Sequence, residues 1–321
     1  MIFSRKAKFY IKVLISLGLI AGLYCFVDRA KLVHTLLQFH LSSAILIVFL
    51  YAVGQLLSAI KWSLFVRSAG LKRSTIECLR AYLFGMFINV FGLGTVGGDV
   101  GRALALYPAK GERAKSFLTV ICDRIHGLTV LLLIGTTMAF IVDLSPLGRL
   151  ADVLRWGGAA GSVFALSFWL ISPYFFDRVI KPGHKFSHAV EILPQVFSRS
   201  PLFLLKAGAI SFAFHISQLL IHYVIAVEFA SGLSASEIFA LVPFANIVST
   251  FPIAIMGGLG VREGMYTLLF CPFGVSREVA VAFGAVWLGT ATLVGSCGAF
   301  FIPEDFATLK KRFKGEEITD L

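Results

Sequence analysis

Apolar residues run along this chain in long uncharged blocks. Residues 41–60, 156–176, 207–227 and 279–303 contain no Asp, Glu, Lys or Arg, and 125–142 adds a slightly shorter block of the same kind. A helix of about 20 such residues crosses the hydrocarbon core of a bilayer. Residues 9–27, where Lys12 can snorkel to the interface, complete a set of six predicted spans. Two more apolar segments, 76–98 and 238–261, end in glycine-rich stretches. The expected fold class is therefore all-α integral membrane, in a single transmembrane domain.

Composition agrees. Of 321 residues 57% are hydrophobic and only 15% charged, with a mean hydropathy of +0.84. A soluble chain of this size carries about a quarter charged residues to build its polar skin. The formal net charge of +11 then records topology and contact with anionic lipid rather than nucleic-acid binding. Five cysteines (Cys25, Cys78, Cys122, Cys271, Cys297) have no paired spacing and fall mostly in apolar runs, so they read as small core residues, neither disulfides nor metal ligands. The N-terminal run has no small-x-small cleavage site after it, and an uncleaved first span is expected.

Charge decides what segments 76–98 and 238–261 do. If both cross, the basic loops 99–116 and 173–206 face outside, and Lys plus Arg divide 15 inside to 14 outside. If both enter and turn back, with both termini cytoplasmic, the division is 23 to six. Positive charge accumulates on the cytoplasmic side, so two re-entrant hairpins are predicted, entering from opposite faces. Non-helical backbone at membrane depth survives only when protein buries it or water lines it. Opposed, interrupted segments in corresponding positions of two halves mark a midplane substrate site in transporters built from inverted repeats. The loop at 173–203 is expected on the cytoplasmic surface of the plasma (inner) membrane.

The two interrupted segments share a motif. Gly97-Gly98 precedes Arg102 at the spacing by which Gly257-Gly258 precedes Arg262, and each motif carries a carboxylate, Asp99 or Glu263. The expectation is that an apolar helix stops at each glycine pair, where positive φ is allowed, and then restarts. The restarted helix offers free N–H groups to an anion, and the Arg adds a bidentate partner. Gly-Gly pairs also occur in membrane helices for packing alone. Asn89 and Asn246 precede the two turns in corresponding places, either capping freed backbone or touching ligand.

Asp123-Arg124 opens another apolar block. Left isolated at depth, Asp99, Arg102, Asp123, Arg124, Arg262 and Glu263 would together cost on the order of 15–20 kcal/mol. They must pair, line water or sit at the interface; their formal sum is zero, so mutual pairing is open to them. His215, Gln218 and His222 share a helix face, as a proton or ligand path or as hydrogen bonds between helices.

At these residues the chain resembles the transmembrane region of lysylphosphatidylglycerol synthases and the stand-alone flippase-like proteins built on it. The resemblance rests on AIKWSLFVRSAG (59–70), GMFINVFGLGTVGGDVGRALAL (85–106), CDRIHGL (122–128) and PFANIVSTFPIAIMGGLGVREG (243–264). Such proteins often carry a proline where Gly92-Leu93-Gly94 stands here. The resemblance implies translocation of lipids, anionic or lipid-linked, with membrane lipids and a separate lipid-modifying or glycosyl transferase as partners. No synthase domain follows Pro303, so no synthase activity is expected, and no cofactor is implied. No Walker A motif is present, which argues against direct ATP coupling. The competing readings are a membrane-embedded lipid-modifying transferase, using Asp99, Asp123 or Glu263 as acid or base, and a small-solute or ion transporter.

Overall fold

The computed structural model describes residues 27–91, 94–106, 112–179, 200–250 and 258–301. Nearly all of the expected first span at 9–27, most of the 173–203 loop, Gly92-Leu93 and Gly257 lie outside the described residues. The described residues are helical, without strands. A short helix, α1 (Arg29–Leu37), leads into α2 (Leu41–Ser68). The pair α3 (Thr75–Phe91) and α4 (Gly94–Ala105) comes next, then the long α5 (Arg113–Ile141). A turn of helix at Arg149–Asp152 passes through a π-helical turn into α6 (Gly158–Val179). The second half repeats the pattern with α7 (Pro201–Glu228), α8 (Ala235–Thr250), α9 (Val261–Phe270) and α10 (Arg277–Ser296). Among the described residues, five helical stretches are long and apolar enough to cross a membrane: Leu41–Ser68, Arg113–Ile141, Arg149–Ser172, Pro201–Glu228 and Arg277–Phe301. The protein is an all-α integral membrane protein.

From the first helix of each half through the hairpin, the halves are copies displaced by 160 positions: α2 starts at 41 and α7 at 201, and they end at 68 and 228. The corners that follow match bond for bond. Gly70 N–H donates to Arg67 O, and Ala230 N–H to Val227 O, both at 3.0 Å. Gly70 has φ +78°, and Ala230 is the one described non-glycine residue with positive φ. Ser74 and Glu77 then form a capping box, and so do Ser234 and Glu237. In each the glutamate accepts the serine N–H at 2.7 Å and the serine hydroxyl accepts the glutamate N–H at 3.2 Å.

The copies are inverted. Ser43 bonds Glu228, while Gly54 meets Ser217 near the middle of the same helices. Rising numbers on α2 thus face falling numbers on α7. Two equivalent helices that run antiparallel put their following hairpins on opposite faces. Within each hairpin the second arm folds back along the first: Gly98 packs on Asn89 and Gly85, Gly258 on Ser249. The return arms, of 12 and 10 residues, reach about 18 and 15 Å and cannot cross a hydrocarbon core about 30 Å thick.

The halves also interlock. Gly135 of α5 packs against Pro243 of α8, and Gly298, just past α10, packs against Leu83 of α3, the position equivalent to Pro243. Each hairpin therefore leans on the last span of the other half. Lipid tails are as apolar as leucine, so such close contacts between small residues supply much of the helix association.

Candidate functional site

The glycine motifs do different work in the two halves. Contrary to the expected stop at Gly97-Gly98, α4 already runs from Gly94, and the pair lies inside it. A Cβ on Gly98 would stand 2.6 Å from Gly85 O and 2.8 Å from Asn89 Cβ, so this glycine lets the two arms touch. The second motif does turn: Gly258 and Gly260 have φ of +95° and +85°, and α9 starts at Val261. A Cβ on Gly258 would meet Ser249 O at 2.7 Å. The structural counterpart of Asn89 is thus Ser249, and the expected correspondence with Asn246 is off by three residues, almost one helical turn.

These close approaches bring the arginines inward. Arg102 and Arg262, each 5% exposed, line one central cavity of about 280 Å³ between the two halves. Of the residues singled out in the sequence, Asn89, Gly98, Asp99, Asp123, Arg124 and Asn246 line it too. Gly97 is buried beside Gly98 but is not part of the wall. Gly258 supports the cavity from the hairpin packing, and Gly257 lies outside the described residues.

In the first half, charges alternate in a chain across three helices. Lys61 Nζ lies 3.1 Å from Asp123 Oδ1 and donates to the Asp123 carbonyl at 3.0 Å. Arg102 donates through Nη1 to Asp123 Oδ2 at 3.0 Å and through Nε to Asp99 Oδ1 at 3.2 Å. Arg124 pairs with the other Asp99 oxygen. The Arg102 guanidinium also sits 5.0 Å from the Trp62 ring and 5.2 Å from the Tyr82 ring. Asp123 is 4% exposed, so it belongs to the buried network rather than to an interface.

The second half keeps only the arginine. At the positions equivalent to Lys61 and Asp99 stand Ile221 and Leu259, and α10 carries no charged residue after Glu278. Arg262 lies over the indole of Trp287, 3.8 Å from the ring centroid. Glu263 is absent from the cavity wall. Its Oε2 accepts the Gly260 N–H at 2.6 Å, capping α9, and its other oxygen faces Gly284. Expected as a cavity residue, Glu263 is instead the brace of the helix that carries Arg262.

The cavity wall itself is not neutral. Lys61, Arg102, Arg124 and Arg262 face the cavity with Asp99 and Asp123, a formal excess of two positive charges. The expectation missed Lys61, placed at the end of its span because the uncharged run stops at residue 60. In the structure α2 continues to Ser68 and carries the amine indoors. Trp287, Gln55 and Tyr82 were missed as well; nothing in an apolar run marks which aromatic or amide faces inward.

The polar face of α7 divides between two tasks. His215 lines the cavity and donates to Gly127 O at 2.8 Å, while Gln218 lines it beside the Ser217 hydroxyl. His222 turns away: Nδ1 donates to Gln218 O at 2.7 Å, and Nε2 accepts from Tyr266 Oη at 2.6 Å. Both histidines tie helices together. Among the described residues there is no group of histidines, cysteines and carboxylates suited to a metal.

Comparison with known proteins agrees with this architecture. The family described as the lysylphosphatidylglycerol synthase TM region matches residues 9–298. A UPF0104 membrane protein of Pyrococcus horikoshii is 21% identical to the chain over 92% of it and 94% of the relative. No solved structure matches significantly.

Proposed function

Because the chain belongs to the family of the lysylphosphatidylglycerol synthase TM region, we propose that it binds the anionic headgroup of a membrane lipid in the central cavity and moves it across the bilayer. One observation carries the reading: two arginines at equivalent positions of inverted halves line the same cavity, whose wall holds excess positive charge. A lipid phosphate is the complement of that wall, and guanidinium groups match its oxygens two at a time. Carboxylates of the network hold Arg102 through Nε to Asp99 and through Nη1 to Asp123, so its orientation is fixed before a ligand arrives. Fixing a receptor group beforehand lowers the entropy cost of binding.

In this reading the chain performs no covalent chemistry and hydrolyses no ATP, and a lipid-modifying or glycosyl transferase acts as a separate partner. Its termini lie in the cytoplasm and it resides in the plasma (inner) membrane. The corner at 67–80 supports that orientation, with Arg67, Lys72, Arg73 and Arg80 against Glu77. The equivalent corner on the other face, 227–240, carries Glu228 and Glu237 and no Lys or Arg. Cations concentrate on the cytoplasmic side, so the first corner belongs there.

The test is reconstitution of the purified chain into vesicles with a headgroup-labelled anionic lipid, followed by quenching of the label from outside. Faster loss of the protected inner pool with the protein than with an Arg102→Gln/Arg262→Gln variant supports transport. Equal rates reject it.

A further inference from the structure

The cavity wall has a second chemistry besides charge. Four carboxamides line it, Gln55 and Asn89 from the first half and Gln218 and Asn246 from the second. They do not occupy equivalent positions: the counterparts of Gln55 and Asn89 are His215 and Ser249. Inverted symmetry therefore does not account for them. Their internal bonding is thin. Gln55 accepts from Tyr82 Oη at 3.3 Å, Gln218 donates to Ser217 at 3.3 Å, and Asn246 meets Tyr266 Oη only at 3.5 Å. Among the described residues the buried Asn89 Oδ1 has no hydrogen-bond partner.

A buried carboxamide without full partners is costly, and the cost is greater within a membrane, where bulk water is absent. Four around one void point to a ligand that is itself both donor and acceptor. Hydroxyl groups fit, since each offers one donor and two acceptor positions to a carboxamide that offers both kinds. An ammonium group does not: it has donors only, and it would enter a wall already carrying a formal excess of two positive charges.

Resting on the proposed lipid-transport reading, we infer that the ligand is a lipid whose phosphate carries a headgroup with several hydroxyls, such as a sugar or a cyclitol. The phosphate lies toward the arginines and the hydroxyls toward the carboxamides.

The experiment measures binding to the full-length chain in detergent with four probes: phosphatidylinositol, phosphatidylethanol, phosphatidylcholine and water-soluble inositol 1-phosphate. Phosphatidylethanol has the same phosphodiester charge as phosphatidylinositol and no hydroxyls. Phosphatidylinositol is expected to bind about tenfold or more tighter than phosphatidylethanol, the equivalent of one or two neutral hydrogen bonds. In Gln218→Leu/Asn246→Leu that preference is expected to disappear, and the thermal unfolding transition of the variant in detergent shows separately whether it is folded. Should the variant fail to fold, the wild-type comparison decides alone. Equal affinity of the wild type for phosphatidylinositol and phosphatidylethanol overturns the polyol inference and leaves the anionic-lipid reading standing. Phosphatidylcholine binding as tightly as the anionic lipids, or inositol 1-phosphate binding as tightly as the lipid, overturns the lipid-transport reading itself.

Discussion

Arg102 Nη1 donates to Asp123 Oδ2 at 3.0 Å, and this one bond ties the returning arm of a re-entrant hairpin to a full membrane span. Asp123 also holds Lys61, so a single carboxylate is shared between two buried cations. Removing one partner of a buried ion network leaves the others unpaired, at about 3–5 kcal/mol. Asp123→Asn is therefore expected to lower the thermal unfolding temperature in detergent sharply. Lys61→Met in the same chain should restore part of the loss, because one stranded charge is then gone. No recovery in the double variant would show that Lys61 is not stabilised by Asp123.

The corner after each first helix offers a test of the repeat. Gly70 and Ala230 occupy equivalent places with φ of +78° and +43°. An L-residue in the left-handed region costs about 1–2 kcal/mol, whereas glycine costs about 0.5–1 kcal/mol of extra chain entropy. The difference favours glycine. Ala230→Gly should raise stability by about 0.5–1 kcal/mol, and Gly70→Ala should lower it by a similar amount. Unfolding curves for the two variants should move in opposite directions; a shared direction would show that the corners are not equivalent.

The repeat was only partly legible in the sequence. The paired Gly-Gly-x-x-x-Arg motifs stood out because each closes an uncharged apolar segment, while the division of Lys and Arg predicted the opposed hairpins. The full displacement of 160 residues did not stand out, because lipid-facing positions accept almost any apolar side chain and preserve little identity. What persists sits where backbone is constrained: Ser74 and Ser234, Glu77 and Glu237, Gly98 and Gly258. Arg102 and Arg262 could be picked out by charge, and so could Asp99, Asp123 and Arg124. Lys61 and Glu263 could not be sorted that way, since periodicity alone does not say whether a residue near a span's end points into the cavity or braces a helix.

Orientation follows from the two corners. With Cys25, Cys78, Cys122, Cys271 and Cys297 replaced, single cysteines at Lys72 and Ser236 should react with an impermeant maleimide from opposite sides of the membrane. Both positions are exposed, and they lie on the equivalent corners of inverted halves. Lys72→Cys should be protected in intact cells and labelled after permeabilisation, while Ser236→Cys should be labelled in both. Labelling of Lys72→Cys in intact cells would reverse the cytoplasmic assignment. Labelling of both variants from one side would dispose of the inverted arrangement itself.

Close packing within the hairpins predicts a steep size dependence. A methyl group added at Gly98 would stand 2.6 Å from backbone, and one added at Gly258 2.7 Å, so even alanine forces the two arms apart. Gly98→Ala and Gly258→Ala should each reduce lipid binding, with valine worse at both sites. At Gly258 the positive φ adds a strain of about 1–2 kcal/mol for any side chain. Alanine should therefore harm the second hairpin more than the first. Wild-type binding by both valine variants would mean that hairpin contact does not position the arginines.

Arg262 separates an anion site from a structural ion pair. Its guanidinium lies over Trp287 at 3.8 Å, a stacking that a lysine ammonium cannot reproduce with the same planar fork. If Arg262 holds a phosphate, Arg262→Lys keeps the charge yet should weaken anionic-lipid binding by about tenfold, with Arg262→Gln weaker still. If instead Arg262 only neutralises Glu263, lysine should suffice, and Arg262→Gln/Glu263→Gln should bind lipid better than Arg262→Gln. The geometry argues against that outcome, since Glu263 spends one oxygen on the Gly260 N–H and turns the other toward Gly284. Neutralising Glu263 then weakens the cap of α9 and adds nothing to the cavity. The double variant is expected to bind no better than Arg262→Gln. Recovery of wild-type lipid binding in the double variant would assign the arginine to charge balance and remove it from the ligand site.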